Sequence, residues 1–242
     1  MGQVRLTNPF RSGTRLPPPA LRSGGPELKD DRVYLESARR SARVLIDRGL
    51  VNEETSILDI GCGPGRLLIG LRAELPDVGP YTGLDVDAVK IAWASRRLAS
   101  TDPAAQFFHL NLLNERYNPI GERIARARLF PVPDKTVDLA VLISVFSHLR
   151  LQDVIAYLAE IRRVIGATGG VYLTAFVEDG VPAEEENPSS YLREWSGPLH
   201  CVRFARDLFD ETLRDAGFVI RDFRHRDTPD RQSSYVLGPA AL

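Results

Sequence analysis

The segment 57–66, ILDIGCGPGR, joins an apolar run to three alternate glycines. Glycine permits the tight turn between a strand and a helix, and it lets a ligand approach the backbone closely. A helix that starts after such a turn presents free N–H groups and a partial positive charge. We therefore predict that the segment holds a ligand, with contacts from Gly61, Cys62, Gly63 and Gly65.

The spacing of these glycines narrows the class of ligand. They follow the pattern Gly-x-Gly-x-Gly, and Asp59 stands two residues before the first of them. In the dinucleotide fingerprint Gly-x-Gly-x-x-Gly, the third glycine would fall at Arg66, whose side chain is long. The pattern disfavours a nicotinamide dinucleotide and favours a ligand that has an amino-acid end and no pyrophosphate, with Asp59 as part of its site.

A second acid ends the next apolar run, YTGLD at 81–85. A carboxylate at Asp85 can accept hydrogen bonds from both hydroxyls of a ribose. Because Asp85 and Asp87 both precede a predicted helix, capping is the alternative role, and it is favoured for Asp87. Val86 is placed in the same ligand site as Asp85.

The third predicted strand is followed by Asn111 and Leu112. In an open parallel sheet, ligands lie beyond the carboxyl ends of the strands. The Asn111 amide can both accept and donate hydrogen bonds at the edge of an adenine ring. Leu112 can flank the same ring, and we predict that both residues contact the ligand.

Strands and helices alternate along most of the chain. Strands are predicted at 56–60, 81–85, 106–110, 136–144, 171–176, 218–223 and 234–237, and helices at 31–50, 66–74, 88–99, 151–165 and 207–216. Continuous apolar strands between helices indicate a parallel sheet covered on both faces, with right-handed crossovers. We predict an α/β, Rossmann-like fold with a mostly parallel seven-stranded sheet and a C-terminal antiparallel hairpin. Residues 167–170 are predicted to be a turn.

Two segments stand apart from this pattern. Residues 1–30 are rich in Pro, Gly and Arg. They are either a free tail or an arm that packs across the domain formed by residues 31–242 or covers a substrate pocket. Residues 177–200 have no clear period, and we assign them to the side of the sheet where an acceptor would bind. Within them, Glu184–Glu186 is interpreted as a solvated turn.

Composition excludes several classes of protein. The 242 residues are 43% hydrophobic, which suits one core, and the net charge of −1 gives no general attraction to nucleic acid or to an anionic membrane. Two distant cysteines, Cys62 and Cys201, form neither a disulfide framework nor a metal-binding motif. We see no signal peptide, no run of 18 apolar residues and no metal site, and we predict a cytoplasmic protein.

Taken together, these residues resemble a known family. Segment 57–65 is similar to the cofactor loop of class I S-adenosylmethionine (SAM)-dependent methyltransferases, and Asp85 matches the acid at the end of their second strand. The chain is most similar to a bacterial subgroup, through the motifs Tyr117-Asn118-Pro119, Phe130-Pro131-Val132-Pro133-Asp134 and Ser144-Val145-Phe146-Ser147-His148-Leu149. There are departures: Asn111 stands where many members have Asp, and residues 177–200 match the subgroup poorly.

The resemblance implies that SAM is the cofactor, that S-adenosylhomocysteine is its product, and that a methyl group is transferred, often to an oxygen of a sugar or secondary metabolite. A hydroxyl acceptor needs a base, and His148 is our candidate because it follows the fourth strand. Its alternative role is capping or packing. Ser144 and Phe146 are expected near the cofactor, with a core position as the alternative for Phe146, and His200 is a second candidate base.

The acceptor stays open at this stage. The Asn/Asp-Pro-Pro-aromatic motif typical of many amino-methyltransferases is missing after the fourth strand, which lowers the expectation of an amino acceptor. Trp195 and Tyr191 either stack on an acceptor or pack on the core. The alternatives are an RNA methyltransferase that uses Arg123, Arg126 and Arg128, a non-catalytic SAM-binding partner protein, and a nicotinamide-dependent reductase. The oligomeric state is not predicted.

Overall fold

The computed structural model describes residues 15–123 and 130–241. The first part of the predicted N-terminal arm, residues 1–14, and two arginines of the RNA-binding alternative, Arg126 and Arg128, lie outside these ranges.

The described residues form one sheet of nine strands, two more than the seven predicted, because Glu184–Glu186 and Val202–Ala205 also join it. Its strands are β1 Ile57–Ile60, β2 Tyr81–Asp85, β3 Ala105–His109, β4 Val137–Leu142, β5 Ile165–Glu178, β6 Glu184–Glu186, β7 Val202–Ala205, β8 Phe218–Arg224 and β9 Ser233–Pro239. The order β3-β2-β1-β4-β5 is parallel throughout, β9 pairs antiparallel with β5, and β8 pairs antiparallel with β9. The mostly parallel sheet and the closing hairpin are therefore confirmed.

Helices cover both faces of this sheet. They are α1 Asp31–Asp47, α2 Arg66–Glu74, α3 Ala88–Arg97, α4 Leu151–Val164 and α5 Arg206–Asp215. Side chains of α1, α2 and α3 share one buried cluster with Ile57, whereas side chains of α4 and α5 share another with Leu58 and Ile60. Because successive residues of a strand point to opposite faces, a strand buried on both faces must be apolar throughout, as β1 largely is.

The start of β5 corrects one prediction. Residues 167–170 were predicted to be a turn, but α4 ends at Val164 and the strand begins directly at Ile165. Val137 of β4 pairs with Ile165 and Leu139 pairs with Gly170, so the register shifts between them. The extra residues of β5 are accommodated by this irregularity, which local sequence does not reveal.

A second correction concerns Glu184–Glu186, which is strand β6 and not a solvated turn. It pairs antiparallel with β7, which continues the sheet beside the end of β5. The Arg150 guanidinium donates to Glu186 at 2.8 Å, and the Leu151 N–H donates to Glu184 at 2.6 Å. Because ionic partners at the start of α4 satisfy these carboxylates, the strand forms without an alternating apolar pattern.

Within the described ranges, every helix is too short or too polar to cross a membrane.

Candidate active site

A cavity of about 1860 Å³ opens at the carboxyl ends of the parallel strands. Its wall includes residues 23–28 with side chains of α1, the glycine loop, the ends of β2 and β4, the segment after β4 that carries His148, residues 193–195 with His200, and the 227–232 turn between β8 and β9. Ligand cavities commonly measure about 300–1,000 Å³, so this one has room for two ligands side by side.

The glycine loop is shaped by its left-handed residues. Gly61, Gly63 and Gly65 have φ angles of +73°, +56° and +82°, which side-chain-bearing residues rarely adopt. The N–H groups of Gly61 and Cys62 both donate to the Leu84 carbonyl, at 2.7 and 3.0 Å, which ties the loop to β2. A Cβ at Gly63 would meet no atom within 4 Å, so the backbone there is open to the cavity.

Alanine substitutions should distinguish a glycine that is needed for packing, Gly61, from one that leaves the backbone open to the cofactor, Gly63. A Cβ at Gly61 would lie 2.5 Å from Cγ2 of Val145, a β-branched side chain with little freedom to move. We expect Gly61→Ala to lower the free energy of unfolding by about 2–4 kcal/mol, from backbone strain plus overpacking. Gly63→Ala should cost about 1–2 kcal/mol, from strain alone, but should weaken cofactor binding. Urea unfolding and calorimetry measure both quantities, and equal stability losses would contradict this assignment.

Asp85 lies at the end of β2 and lines the cavity. Its Oδ2 accepts from the Gly63 N–H at 2.7 Å, and its Oδ1 accepts from the Asp87 N–H at 2.8 Å. Asp87 caps α3 by accepting from the N–H groups of Val89 and Lys90. Burial raises the pKa of Asp85 above its usual range. The cap and the candidate ribose ligand are therefore two different acids, as the sequence favoured.

Two residues predicted for the cofactor site lie behind the cavity wall. Asp59 is buried and accepts a hydrogen bond from the Tyr81 hydroxyl, and burial raises its pKa to about 7. Gly65 leads into α2, where a Cβ would collide with Leu98. Both shape the loop from behind, whereas Gly61, Cys62, Gly63 and Val86 line the cavity itself.

The predicted adenine contacts are also displaced from the wall. The Asn111 amide donates to Glu122 at 3.2 Å and accepts from Asn118 at 3.3 Å, and its side chain is exposed. Leu112 packs at the margin of the core. Asn114 lines the cavity instead and donates to the His148 carbonyl at 3.0 Å. A contact of Asn111 and Leu112 with adenine therefore stays a prediction.

A buried polar network, which sequence reasoning missed, lies at the ends of β4 and β5. The Ser144 N–H donates to Thr174 Oγ1, Thr174 Oγ1 donates to Gln232 Oε1, and Gln232 Nε2 donates to Ser144 Oγ, each at 2.8 Å. Gln232 also donates to Asp230 at 2.6 Å. The sequence did contain an indication of this network. Because the second strand of the closing hairpin runs antiparallel to β5, the polar turn before it must lie at the carboxyl ends of the parallel strands, where ligands bind.

His148 lines the cavity on a single 3₁₀ turn, Phe146–His148. Its Nδ1 lies 2.9 Å from the Leu199 carbonyl. Because a carbonyl only accepts, Nδ1 carries the proton, and Nε2 is the accepting nitrogen of the neutral ring. Burial lowers the pKa of His148 to about 4, so the ring is neutral at physiological pH. Phe146, in contrast, is fully buried against Phe209.

Residues 193–200 bring an aromatic wall to the same cavity. Trp195 and His200 both line it, with ring centroids 5.1 Å apart in an edge-on arrangement. Arg193 lies over the Trp195 ring, 4.5 Å from its centroid. Tyr191 is buried and donates to Glu178 at 2.8 Å, so it packs and does not face the cavity.

Comparisons with known proteins fit this geometry. Residues 58–171 match the family model described as a methyltransferase domain. An uncharacterized methyltransferase of Schizosaccharomyces pombe is 30% identical over 121 residues, which are 50% of this chain and 40% of that protein. The chain thus matches less than half the length of that curated relative.

Two solved structures share the fold. A SAM-dependent methyltransferase from Aquifex aeolicus has a TM-score of 0.58 at 18% identity, covering 92% of this chain and 98% of its own. The Burkholderia thailandensis 1,6-didemethyltoxoflavin-N1-methyltransferase, with bound 1,6-didemethyltoxoflavin and S-adenosylhomocysteine, has a TM-score of 0.56 at 17% identity, covering 87% of this chain and 80% of its own.

The matched segment is a methyltransferase domain that covers less than half of this chain, and the sheet with its helices has the Rossmann-like fold of these solved structures. SAM is the cofactor that the resemblance in the sequence implied, and the Burkholderia structure of this fold holds its product, S-adenosylhomocysteine. The residues present fit that cofactor, because the open backbone at Gly63 and the fixed carboxylate of Asp85 face one cavity. Similarity at 17–18% identity shows the fold and leaves the acceptor open.

Proposed function

We propose that this protein transfers the methyl group of SAM to a hydroxyl oxygen of a small-molecule or glycan acceptor. One observation carries the proposal: the glycine loop, Asp85 and His148 all line the same cavity. A cavity of about 1860 Å³ accommodates the cofactor and an acceptor together.

We assign the cofactor to the part of the cavity wall that is formed by the glycine loop and the end of β2. Bound SAM supplies a methyl group on a positively charged sulfur and leaves as a neutral thioether. Gly61, Cys62 and Gly63 offer an approachable backbone, and Asp85 accepts from the ribose hydroxyls. Val86 and Ser144 complete this part of the wall.

The four remaining predicted cofactor residues act less directly in this proposal. Asp59 and Gly65 fix the shape of the loop from behind. Asn111 and Leu112 reach adenine only if the Asn111 amide exchanges its contacts with Glu122 and Asn118.

The acceptor end is assigned to His148 and the aromatic wall. The neutral imidazole accepts the hydroxyl proton at Nε2, while Nδ1 stays bonded to the Leu199 carbonyl and fixes the ring. Holding the hydroxyl in line with the carbon–sulfur bond is the main task of the protein in such a reaction. Trp195 offers a flat apolar surface on which a sugar or an aromatic ring can stack.

The test has two stages. Calorimetry with S-adenosylhomocysteine and with NAD should detect binding of the former only. Labelled SAM is then offered with a panel of hydroxyl acceptors, both sugars and phenols, together with their amino analogues and total RNA. We expect label in a hydroxyl compound. Labelled RNA would support the RNA methyltransferase, and cofactor binding without any transfer would support the non-catalytic partner protein.

A further inference from the structure

One hydroxyl at the cavity has no partner among the described residues. Tyr34 of α1 is 1% exposed, it lines the cavity, and no described atom hydrogen-bonds to its Oη. Burying a hydroxyl without a partner destabilises a fold, so such groups usually meet a ligand or water. Burial raises the pKa of Tyr34 to about 12, which keeps the phenol protonated and able to donate.

Arg66 and the glycine loop share this cavity with Tyr34. Tyr34 packs in one buried cluster with Cys62, and both residues line the cavity together with Arg66. Arg66 lines the cavity and donates to Ser37 Oγ at 3.1 Å, and Ser37 lies three residues after Tyr34 on the same face of α1. Arg66 is also the first residue of α2, where helical N–H groups have no intrahelical acceptor. The Tyr34 phenol, the Arg66 guanidinium and the N-terminus of α2 are therefore all at the same cavity.

A second arginine, Arg22, lies near Tyr34, but its guanidinium is already hydrogen-bonded within the protein. Arg22 lies over the Tyr34 ring, 4.7 Å from its centroid, but its guanidinium donates to the carbonyls of Pro17, Leu28 and Lys29 and pairs with Asp31. Arg22 holds residues 17–31 against the Tyr34 ring. Because its donors are used in this way, a ligand at this point would contact Tyr34 and Arg66.

We propose that the Tyr34 hydroxyl and the Arg66 guanidinium together bind the carboxylate at the methionyl end of SAM and of S-adenosylhomocysteine. The inference rests on the proposed cofactor site. Asp85 accepts from Gly63 of the glycine loop and is assigned to the ribose in the proposed cofactor site, and Tyr34 and Arg66 line the same cavity. This leaves the amino-acid end of the same molecule for Tyr34 of α1 and Arg66. A carboxylate is the group that a neutral donor and a guanidinium recognise together.

The test compares two probes that differ only at this end. S-adenosylhomocysteine carries the carboxylate, whereas 5′-methylthioadenosine has the adenosine and the thioether without the amino-acid group. By calorimetry, Tyr34→Phe and Arg66→Gln should each raise the Kd for S-adenosylhomocysteine about tenfold, which is about 1.4 kcal/mol. The Kd for 5′-methylthioadenosine should change less than twofold. Equal losses for both probes, or no loss for either, would overturn the proposal.

Thermal unfolding separates binding from folding. Because Tyr34→Phe removes an unpartnered hydroxyl, the free variant should unfold at the same temperature as the parent or higher, and only the upward shift with S-adenosylhomocysteine should shrink. The control is Tyr235→Phe, which deletes a buried hydroxyl that donates to Asp210 at 2.8 Å away from the cavity. It should lose stability and keep affinity. If the parent protein binds neither probe, the cofactor site itself is refuted. If the parent binds S-adenosylhomocysteine and Tyr34→Phe binds it equally well, only the role of Tyr34 is refuted.

Discussion

Asp85→Ala should raise the Kd for S-adenosylhomocysteine about a hundredfold. The carboxylate is fixed by the N–H groups of Gly63 and Asp87, and it lines the cavity. Two hydrogen bonds from ribose hydroxyls to a charged group contribute about 1.5 kcal/mol or more each, and 1.4 kcal/mol is a factor of ten. Calorimetry measures the change, with Asp85→Asn as the variant that keeps the size of the side chain and removes its charge.

Asp87→Ala is the matched control, because it removes a carboxylate two residues away. Asp87 caps α3, so its loss should lower the free energy of unfolding by about 1 kcal/mol and leave the Kd within about threefold of the parent. If Asp85→Ala folds and retains parental affinity, the ribose assignment is wrong. If both variants lose affinity alike, the effect comes from the loop and not from a direct contact.

His148→Asn should lower kcat about a hundredfold and leave the Kd for S-adenosylhomocysteine unchanged. The asparagine amide can replace the Nδ1 donor to the Leu199 carbonyl, but it offers no basic nitrogen in place of Nε2. General base catalysis contributes about 10²-fold or more, which sets the expected size of the loss. Steady-state kinetics with the acceptor found in the panel measures it.

The control and the pH profile make this second prediction specific. His200→Asn should keep most of the activity, because the Nδ1 of His200 already accepts from the Ser196 N–H. Burial lowers the pKa of His148 to about 4, so the base is neutral throughout the range above about pH 5. Its contribution to kcat should be lost only as pH falls through about 4. An inflection near pH 6.5 that disappears in His148→Asn would contradict the buried position.

The part of the site formed by the glycine loop and Asp85 was predictable from local sequence patterns. The glycine spacing between an apolar strand and a helix, followed by an acid at the end of the next strand, indicated the cofactor loop, and the structure has both on one cavity. The helix 66–74 was predicted with its observed bounds, because Gly65 and Pro76 mark its ends in the sequence. The assignment of the cap to Asp87 also followed from local chemistry.

Other parts depended on contacts between distant segments. The sequence left open whether the N-terminal arm covers a pocket, and only the structure places residues 23–28 and α1 at the cavity wall. The sequence alone also did not identify Gln232 as the residue that completes a network with Ser144 and Thr174. Strand β6 was invisible because its glutamates are satisfied by Arg150 and Leu151, far away in the chain. Asn111 had the right place in the sequence, yet its amide contacts Glu122.

Sequence by itself determined the alternation of buried strands and helices, the loop that turns between the first pair, and the acid beside it. These features follow from backbone conformation and hydrophobic period, which are local properties. Only the tertiary structure decided which polar groups face the cavity and which are hydrogen-bonded to neighbouring residues. Burial and hydrogen bonding depend on residues far apart in the chain, such as Ser144 and Gln232, which are 88 positions apart. Tyr34 shows the difference. The local sequence predicts a helix at this position, and only packing left its hydroxyl buried, without a described partner, at the cavity that Arg66 also lines.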